Sequence, residues 1–132
     1  MSEQSNAALH RKAHEAFSGG DMDTLTGMTA EDTVWHSPGN SKVSGEFRGR
    51  EAVFGEFFGK MDELSSGTAK IVEHKDYLGN DEHSVALFRF GATRNGEAME
   101  VGVCEVIRWR DGQCVEEWSY LDDQSQWDAF WS

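Results

Sequence analysis

The second half of the chain alternates apolar and polar residues, and two dipeptides typical of tight hairpins interrupt the alternation. From residue 69 to residue 122 the apolar residues recur with a period of two, which is typical of β-strands. Asn95-Gly96 and Asp111-Gly112 break this pattern, and both dipeptides favour two-residue turns between antiparallel strands. The pattern predicts a meander of four strands, at 69–78, 83–94, 97–109 and 113–122.

The first half has the 3.6-residue period of amphipathic helices. We predict helices over 5–18, over a short segment that Asp21 caps, and over 50–64. Residues 32–49 predict a short strand followed by an irregular loop, and Asp123 can cap a last helix. Helices followed by strands indicate an α+β domain, with the helices on one face of a curved antiparallel sheet. The length of 132 residues fits a single domain over 1–132.

The charge of the chain restricts its partners. The formal net charge is −12, which disfavours nucleic acid and anionic membranes because both require clustered Lys and Arg. No segment resembles a signal peptide or a transmembrane helix. We therefore expect a cytoplasmic protein whose partner is a small molecule or another protein.

The two cysteines are too far apart to form a disulfide. If Asp111-Gly112 closes a two-residue hairpin, Cys104 and Cys114 lie five residue pairs apart, roughly 17 Å at about 3.4 Å per residue. A disulfide requires a much closer approach. We expect two free thiols.

Glu105 interrupts an apolar stripe on the predicted strand 97–109. Two-residue turns at both dipeptides would place Ala86 and Trp118 opposite Glu105, on one face of the sheet. That predicted face contains Ala86, Phe88, Phe90, Val101, Val103, Glu105, Trp118, Tyr120 and Asp122. Because apolar surroundings disfavour the charged form of a carboxyl group, we expect the pKa of Glu105 to be raised. The residues leave open whether this acid is structural or lines a functional cavity.

The opposite face of the predicted sheet is unusually apolar for a solvated surface. Apart from its polar residues, this face carries Val85, Leu87, Cys104 and Val106. A second copy related by a two-fold axis would cover this face. We predict a homodimer through the outer sheet face.

The chain resembles the nuclear transport factor 2-like superfamily, in its SnoaL-like and ketosteroid-isomerase-like branch. The motifs `VWHSPG`, `FRGREAVFGEFF`, `NDEHSVALFRF`, `VIRWRDGQCVEEW` and `DDQSQWDAFW` carry this resemblance, which covers nearly the whole chain. It implies a cone-shaped fold with a hydrophobic pocket at its centre. The superfamily contains isomerases, hydrolases, cyclases and non-enzymatic binders, so the fold alone does not assign the chemistry.

The resemblance argues against ordinary ketosteroid isomerase activity. Those isomerases use an Asp base just before a Pro, together with a Tyr and a protonated Asp that bind the oxyanion. The corresponding positions here hold Ser37, Ala13 and Glu105. His36 could replace the missing base or act as a structural hydrogen-bonding residue, and Asp122 corresponds loosely to the late-strand acid of SnoaL-like cyclases.

These considerations give a candidate site and two functional hypotheses. The candidate catalytic residues are Glu105, His36 and Asp122. The candidate pocket residues are Trp35, Ser37, Phe54, Phe57, Phe58, Phe88, Phe90, Val101, Val103, Trp118 and Tyr120. One hypothesis is an isomerase-like or cyclase-like acid–base enzyme for a hydrophobic cyclic or carbonyl compound. The alternative is a non-catalytic ligand-binding or dimerisation module of the same fold.

We expect no cofactor and no metal. The sequence contains no glycine-rich phosphate loop, nucleophile elbow or zinc-ligand spacing. His10 and His14 lie one helical turn apart and could chelate a metal, but the sequence indicates no third ligand. We expect both histidines to be exposed.

Overall fold

The computed structural model describes residues 3–132, with side chains from residue 6 onward. Its helices are α1 (Glu3–Ser18), α2 (Met22–Gly27), α3 (Arg50–Ala52), α4 (Gly59–Ser65) and α5 (Gln124–Phe130), with a π-helical turn (Val53–Phe58) between α3 and α4. Its strands are β1 (Thr29–Ser37), β2 (Gly45–Arg48), β3 (Lys70–Gly79), β4 (His83–Arg94), β5 (Glu97–Arg110) and β6 (Gln113–Leu121). The predicted α+β class, with helices on a curved sheet, is confirmed.

The six strands form one open sheet in the order β2-β1-β6-β5-β4-β3. The predicted antiparallel meander is confirmed as β3 to β6. β1 joins it by pairing parallel to β6, and β2 pairs antiparallel to β1. The prediction of an irregular loop up to residue 49 missed β2, which is a short edge strand of four residues.

Both predicted helix caps are present. The Asp21 carboxylate accepts a 3.2 Å hydrogen bond from the Thr24 backbone N–H at the start of α2. The Asp123 carboxylate accepts one of 3.0 Å from Gln126 at the start of α5. Each cap satisfies a backbone donor that the first helical turn leaves without a partner.

The predicted helix over 50–64 is present but contains the π-helical turn. Within this wider turn, the adjacent side chains of Phe57 and Phe58 both reach the Trp35 ring, at centroid distances of 6.0 and 5.3 Å. Turns of this kind often occur at functional sites. Here the turn adds two neighbouring rings to the same apolar wall.

A β-bulge changes the predicted register of the last hairpin. Trp109 pairs with Cys114 and Arg108 pairs with Glu116, so Val115 is an extra residue on β6. Cys114 and Val115 are both buried, which simple alternation along a strand does not allow. Because one extra residue reverses the facing of every later side chain, the sequence-based assignment of the β6 faces was wrong.

The bulge exchanges the β6 residues that face the helices. Ser119, not Trp118, lies opposite Glu105. Glu117, Ser119 and Leu121 therefore face the helices, while the predicted Trp118, Tyr120 and Asp122 belong to the outer face. The register of the preceding β4–β5 hairpin matches the prediction, with Ala86 opposite Glu105.

The core lies between the sheet and the helices, and its fully buried apolar side chains include Val53, Val101 and Trp131. Cys104 and Cys114 are free thiols, as predicted. Among the residues that the structure describes, no helix combines the length and apolarity needed to cross a membrane.

Candidate functional site

An apolar cavity of about 830 Å³, including its open mouth, lies between the helices and the sheet. Aromatic side chains form much of its wall, and they include Phe17, Trp35, Phe57, Phe58, Phe88 and Phe90. Its polar lining residues include His14, Glu105, Glu117 and Ser119. A concave apolar site with a few convergent polar groups is typical of a small-molecule pocket.

Two histidines of α1 contact one carboxylate oxygen of β5. The i, i+4 spacing of His10 and His14 places both rings on the helix face that packs against the sheet. Their Nε2 atoms lie 2.8 and 2.7 Å from Oε1 of Glu105. The expectation of exposed histidines was wrong, since His10 is 0% and His14 is 7% exposed.

The hydrogen bonds around His10 determine its tautomer. The Trp109 indole N–H donates to the Ser84 hydroxyl over 2.7 Å, and the same hydroxyl lies 2.6 Å from Nδ1 of His10. The Ser84 proton is then placed to donate to Nδ1, and the His10 proton sits on Nε2 and donates to Glu105. Burial lowers the pKa of His10, despite the opposing effect of Glu105, which agrees with a neutral ring.

Glu105 and Glu117 form a buried acid pair. Burial alone would raise the pKa of Glu105, but hydrogen bonds from Glu117, His10 and His14 hold it well below its ordinary value. Burial and the negative charge of Glu105 raise the pKa of Glu117 well above its ordinary value. The Ser119 hydroxyl also donates a 2.7 Å hydrogen bond to Glu117. The pair therefore contains an ionised Glu105 and a neutral Glu117, and the predicted raised pKa of Glu105 was wrong.

His10, His14 and Glu105 have the composition of a two-histidine, one-carboxylate metal site. Their potential ligand atoms all lie within 4.8 Å of one another, so Glu105 supplies the third group that the sequence did not indicate. However, both Nε2 atoms point at the same oxygen at hydrogen-bond distance. A metal ion would have to displace both ring protons before these residues could hold it.

The structure brings eight of the candidate site residues to the cavity. Those that line it are Trp35, Ser37, Phe57, Phe58, Phe88, Phe90, Val103 and Glu105. Phe54 is half-buried and packs on Phe58, and Val101 is buried in the core. Trp118 and Tyr120 lie on the outer face because of the bulge.

The other two candidate catalytic residues also lie outside the cavity. His36 stacks on Trp118 at 5.5 Å and lies 2.7 Å from a carboxylate oxygen of Glu116, which corresponds to the structural alternative considered for it. Asp122 accepts a 2.9 Å hydrogen bond from the Gly102 backbone N–H and is well exposed. Neither side chain contacts Glu105.

Sequence reasoning missed His14, Glu117 and Ser119 as cavity residues. The signal for His14 was its spacing from His10, which fits a single helix face opposite Glu105. The signal for the other two was the pair of adjacent buried-type residues, Cys114 and Val115, directly after a hairpin turn. A bulge at that point turns Glu117 and Ser119 inward.

Three solved structures with the same fold are similar to this chain over most of both chains. Bal32a, from a soil-derived mobile gene cassette, has a TM-score of 0.92 and 34% identity, covering 98% of both chains. An NTF2-like protein from Burkholderia pseudomallei has a TM-score of 0.78 and 20% identity, covering 89% of this chain and 91% of its own. IdmH of Streptomyces antibioticus, a proposed polyketide cyclase, has a TM-score of 0.71 and 22% identity, covering 92% and 95%.

The fold is therefore that of the NTF2-like proteins. Residues 10–117 match the SnoaL-like domain, and this range contains both the histidine pair of α1 and the acid pair of β5 and β6. Because the match extends over most of the chain, the protein belongs to the SnoaL-like domain family.

Proposed function

We propose that the protein is a cofactor-independent acid–base enzyme, isomerase-like or cyclase-like, which acts on a hydrophobic cyclic or carbonyl compound. The acid pair in the apolar cavity carries this proposal. Glu117 is a neutral hydrogen-bond donor beside the ionised Glu105, and both line the cavity. Neighbouring carboxyl groups whose pKa values are driven apart are typical of acid and base roles.

Glu117 can stabilise negative charge on a substrate oxygen. In the resting pair it donates a hydrogen bond to Glu105. When a substrate carbonyl accepts that hydrogen bond instead, negative charge that develops on the carbonyl oxygen is stabilised. Glu117 is then the general acid of the site.

Glu105 becomes a better base when this exchange occurs. The hydrogen bond from Glu117 helps to keep the pKa of Glu105 low, so its transfer to the substrate raises the proton affinity of Glu105. Glu105 then takes a proton from the carbon next to the carbonyl group, and the resulting enolate can be reprotonated or can attack another carbon. Substrate binding thus prepares the base.

The family and the cavity both support a hydrophobic cyclic substrate. IdmH, a proposed polyketide cyclase, has the same fold, and the aromatic wall of the cavity suits a ring system. A binding module that uses the same cavity without chemistry is the second candidate, because the apolar wall alone would hold such a ligand.

Carbon-acid exchange distinguishes the two candidates. We would incubate the protein with 2-tetralone in D₂O and follow deuterium incorporation next to the carbonyl group by NMR. Glu117→Gln is expected to reduce the catalysed rate by roughly 10²–10⁴, the typical contribution of a general acid, because the carboxamide retains a hydrogen-bond donor but cannot transfer a proton. Glu100→Gln is the matched control, because Glu100 is an exposed residue of β5 that pairs with Arg89.

Binding is measured separately with Nile red, a neutral hydrophobic dye. We expect both variants to bind it like the wild type. Equal exchange rates in the wild type and Glu117→Gln, with dye binding retained, would support the binding module and contradict the enzyme.

Homodimerisation through the outer sheet face is part of the same proposal. Leu87 and Tyr120 are 37% and 58% exposed on this face, and Val106 and Trp118 lie beside them on β5 and β6. The proposal also places the protein in the cytoplasm, without a nucleic-acid or membrane partner, in keeping with its net charge of −12. Cell fractionation checks the location.

A further inference from the structure

A line of hydrogen bonds connects Glu105 with the exposed surface of β3. His14 donates to Glu105 through Nε2, and its Nδ1 lies 2.9 Å from the Tyr77 hydroxyl oxygen. The same hydroxyl lies 2.6 Å from Nδ1 of His74. Tyr77 and His14 are buried, whereas His74 is exposed. The line therefore crosses the packed layer between α1 and the sheet.

The number of protons in this line permits two arrangements. The Tyr77 hydroxyl has one proton but two imidazole neighbours, so one of the two rings must donate an N–H to it. In the first arrangement His74 donates to Tyr77, and Tyr77 donates to His14. In the second, His14 donates to Tyr77, and Tyr77 donates to His74. The two differ by one coordinated shift of protons along the line.

We propose that His74, Tyr77 and His14 form a proton relay between solvent and the Glu105–Glu117 pair. A solvent proton binds Nε2 of His74, and the proton on Nδ1 of His74 passes to the Tyr77 oxygen. The Tyr77 proton passes to Nδ1 of His14, and the proton on Nε2 of His14 passes to Glu105. One proton enters, one is delivered, and the first arrangement becomes the second.

The surroundings of the line favour the neutral forms of Tyr77 and His74. Burial raises the pKa of Tyr77 to about 12, against the opposing charge of Arg11, whose guanidinium lies 4.6 Å from the ring centre. Tyr77 therefore passes protons as a hydroxyl group. Burial, followed by the charges of His14 and Arg11, lowers the pKa of His74, and Glu15 opposes this. A neutral His74 has a free lone pair that can accept a solvent proton.

The relay supplies the acid pair with protons from solvent by a route that does not pass through the cavity. A ligand that fills the cavity excludes water from its mouth, whereas His74 lies outside the cavity lining. On the sheet side, Phe88 of β4 lies opposite His74 and carries no charge. His74 and Tyr77 are then positioning residues for proton delivery, an inference that rests on the proposed acid–base role of the pair.

Hydrogen exchange of the His14 ring tests the relay without a substrate. In protein labelled with ¹⁵N-histidine, exchange of the Nε2 proton of His14 with water is measured by NMR. Tyr77→Phe and His74→Asn both interrupt the line, and Asn retains a hydrogen-bonding group that cannot pass a proton between two nitrogens. Tyr120→Phe and His83→Asn are the matched controls, since neither residue contacts the line.

With Nile red filling the cavity, Tyr77→Phe and His74→Asn are each expected to slow exchange at His14 about tenfold or more, because exchange then requires local opening of the packed layer. The controls should exchange like the wild type. The Nε2 proton of His10, which also donates to Glu105 but lies outside the line, reports on general opening and should keep its rate. Unchanged or faster exchange at His14, or parallel slowing at His10, would overturn the relay.

The outcome is independent of the test of the proposed function. If 2-tetralone exchange is absent but His14 exchange depends on Tyr77 and His74, the enzyme proposal fails and the relay stands. If Glu117→Gln abolishes catalysis but His14 exchange is insensitive to both variants, the enzyme stands and the relay fails.

Discussion

Glu105 lies directly opposite Ser119 across the β5–β6 pair, and the Ser119 hydroxyl donates a 2.7 Å hydrogen bond to Glu117. This arrangement places a neutral and an ionised carboxyl group in the same apolar cavity. Burying both costs free energy, and that cost depends on pH.

Glu117→Gln should therefore change the pH dependence of stability. The raised pKa of folded Glu117 means that, above the ordinary value of 4.5, the unfolded chain has lost a proton that the folded protein retains. Wild-type stability is then reduced as the pH rises from 4.5 toward the folded pKa. Gln has no such proton, so the stability of the variant relative to the wild type should increase over this range. Urea unfolding at several pH values measures it, and a constant difference would refute the assignment of the neutral form to Glu117.

Glu105→Ala should strongly destabilise the protein. The substitution removes the acceptor of both imidazole N–H groups and leaves these buried donors without a partner. Leaving a buried donor unpaired costs about 1–3 kcal/mol for each donor, whereas Glu100→Ala removes an exposed pair worth about 0–1 kcal/mol. Urea denaturation compares the two variants. Similar losses in both would contradict the central structural role of Glu105.

The protein should lack ordinary ketosteroid isomerase activity. Ser37 and Ala13 occupy the positions that correspond to the catalytic base and the tyrosine of the ketosteroid isomerases. The structure places both residues on the cavity wall. Losing a general base costs a factor of roughly 10²–10⁴, and losing an oxyanion donor costs roughly 10²–10³. We expect no rise in conjugated enone absorbance with a Δ5-3-ketosteroid. Clear turnover that disappears in His36→Ala would restore His36 as the base.

A charge on the outer sheet face should dissociate the proposed dimer. Val106→Glu and Leu87→Lys each bury a charge in the proposed interface, which disfavours association. Both variants should sediment as monomers at concentrations where the wild type is a dimer. Met22→Lys, at a 40% exposed residue of α2, is the control and should leave the mass unchanged. Unchanged mass in both interface variants would place any interface elsewhere.

Sequence predicted local structure better than the site. Alternation and the turn dipeptides gave the bounds of β4, 83–94, and the two Asp caps followed from local hydrogen-bonding preferences. The burial of His10 and His14 depends on the packing of α1 against residues about 90 positions later in the chain. A local sequence pattern carries no information about such a long-range contact. Glu105 was therefore recognised from the sequence, while its histidine partners were not.

The bulge at Val115 links the length of one strand to the chemistry of the cavity. Deleting this single residue would reverse the facing of every later β6 side chain. Trp118 and Tyr120 would then face inward in place of Glu117 and Ser119. Within this architecture, a one-residue insertion can therefore convert an aromatic lining into an acidic one without any substitution. Comparisons between relatives should assign the pocket residues of this strand only after the insertion has been located.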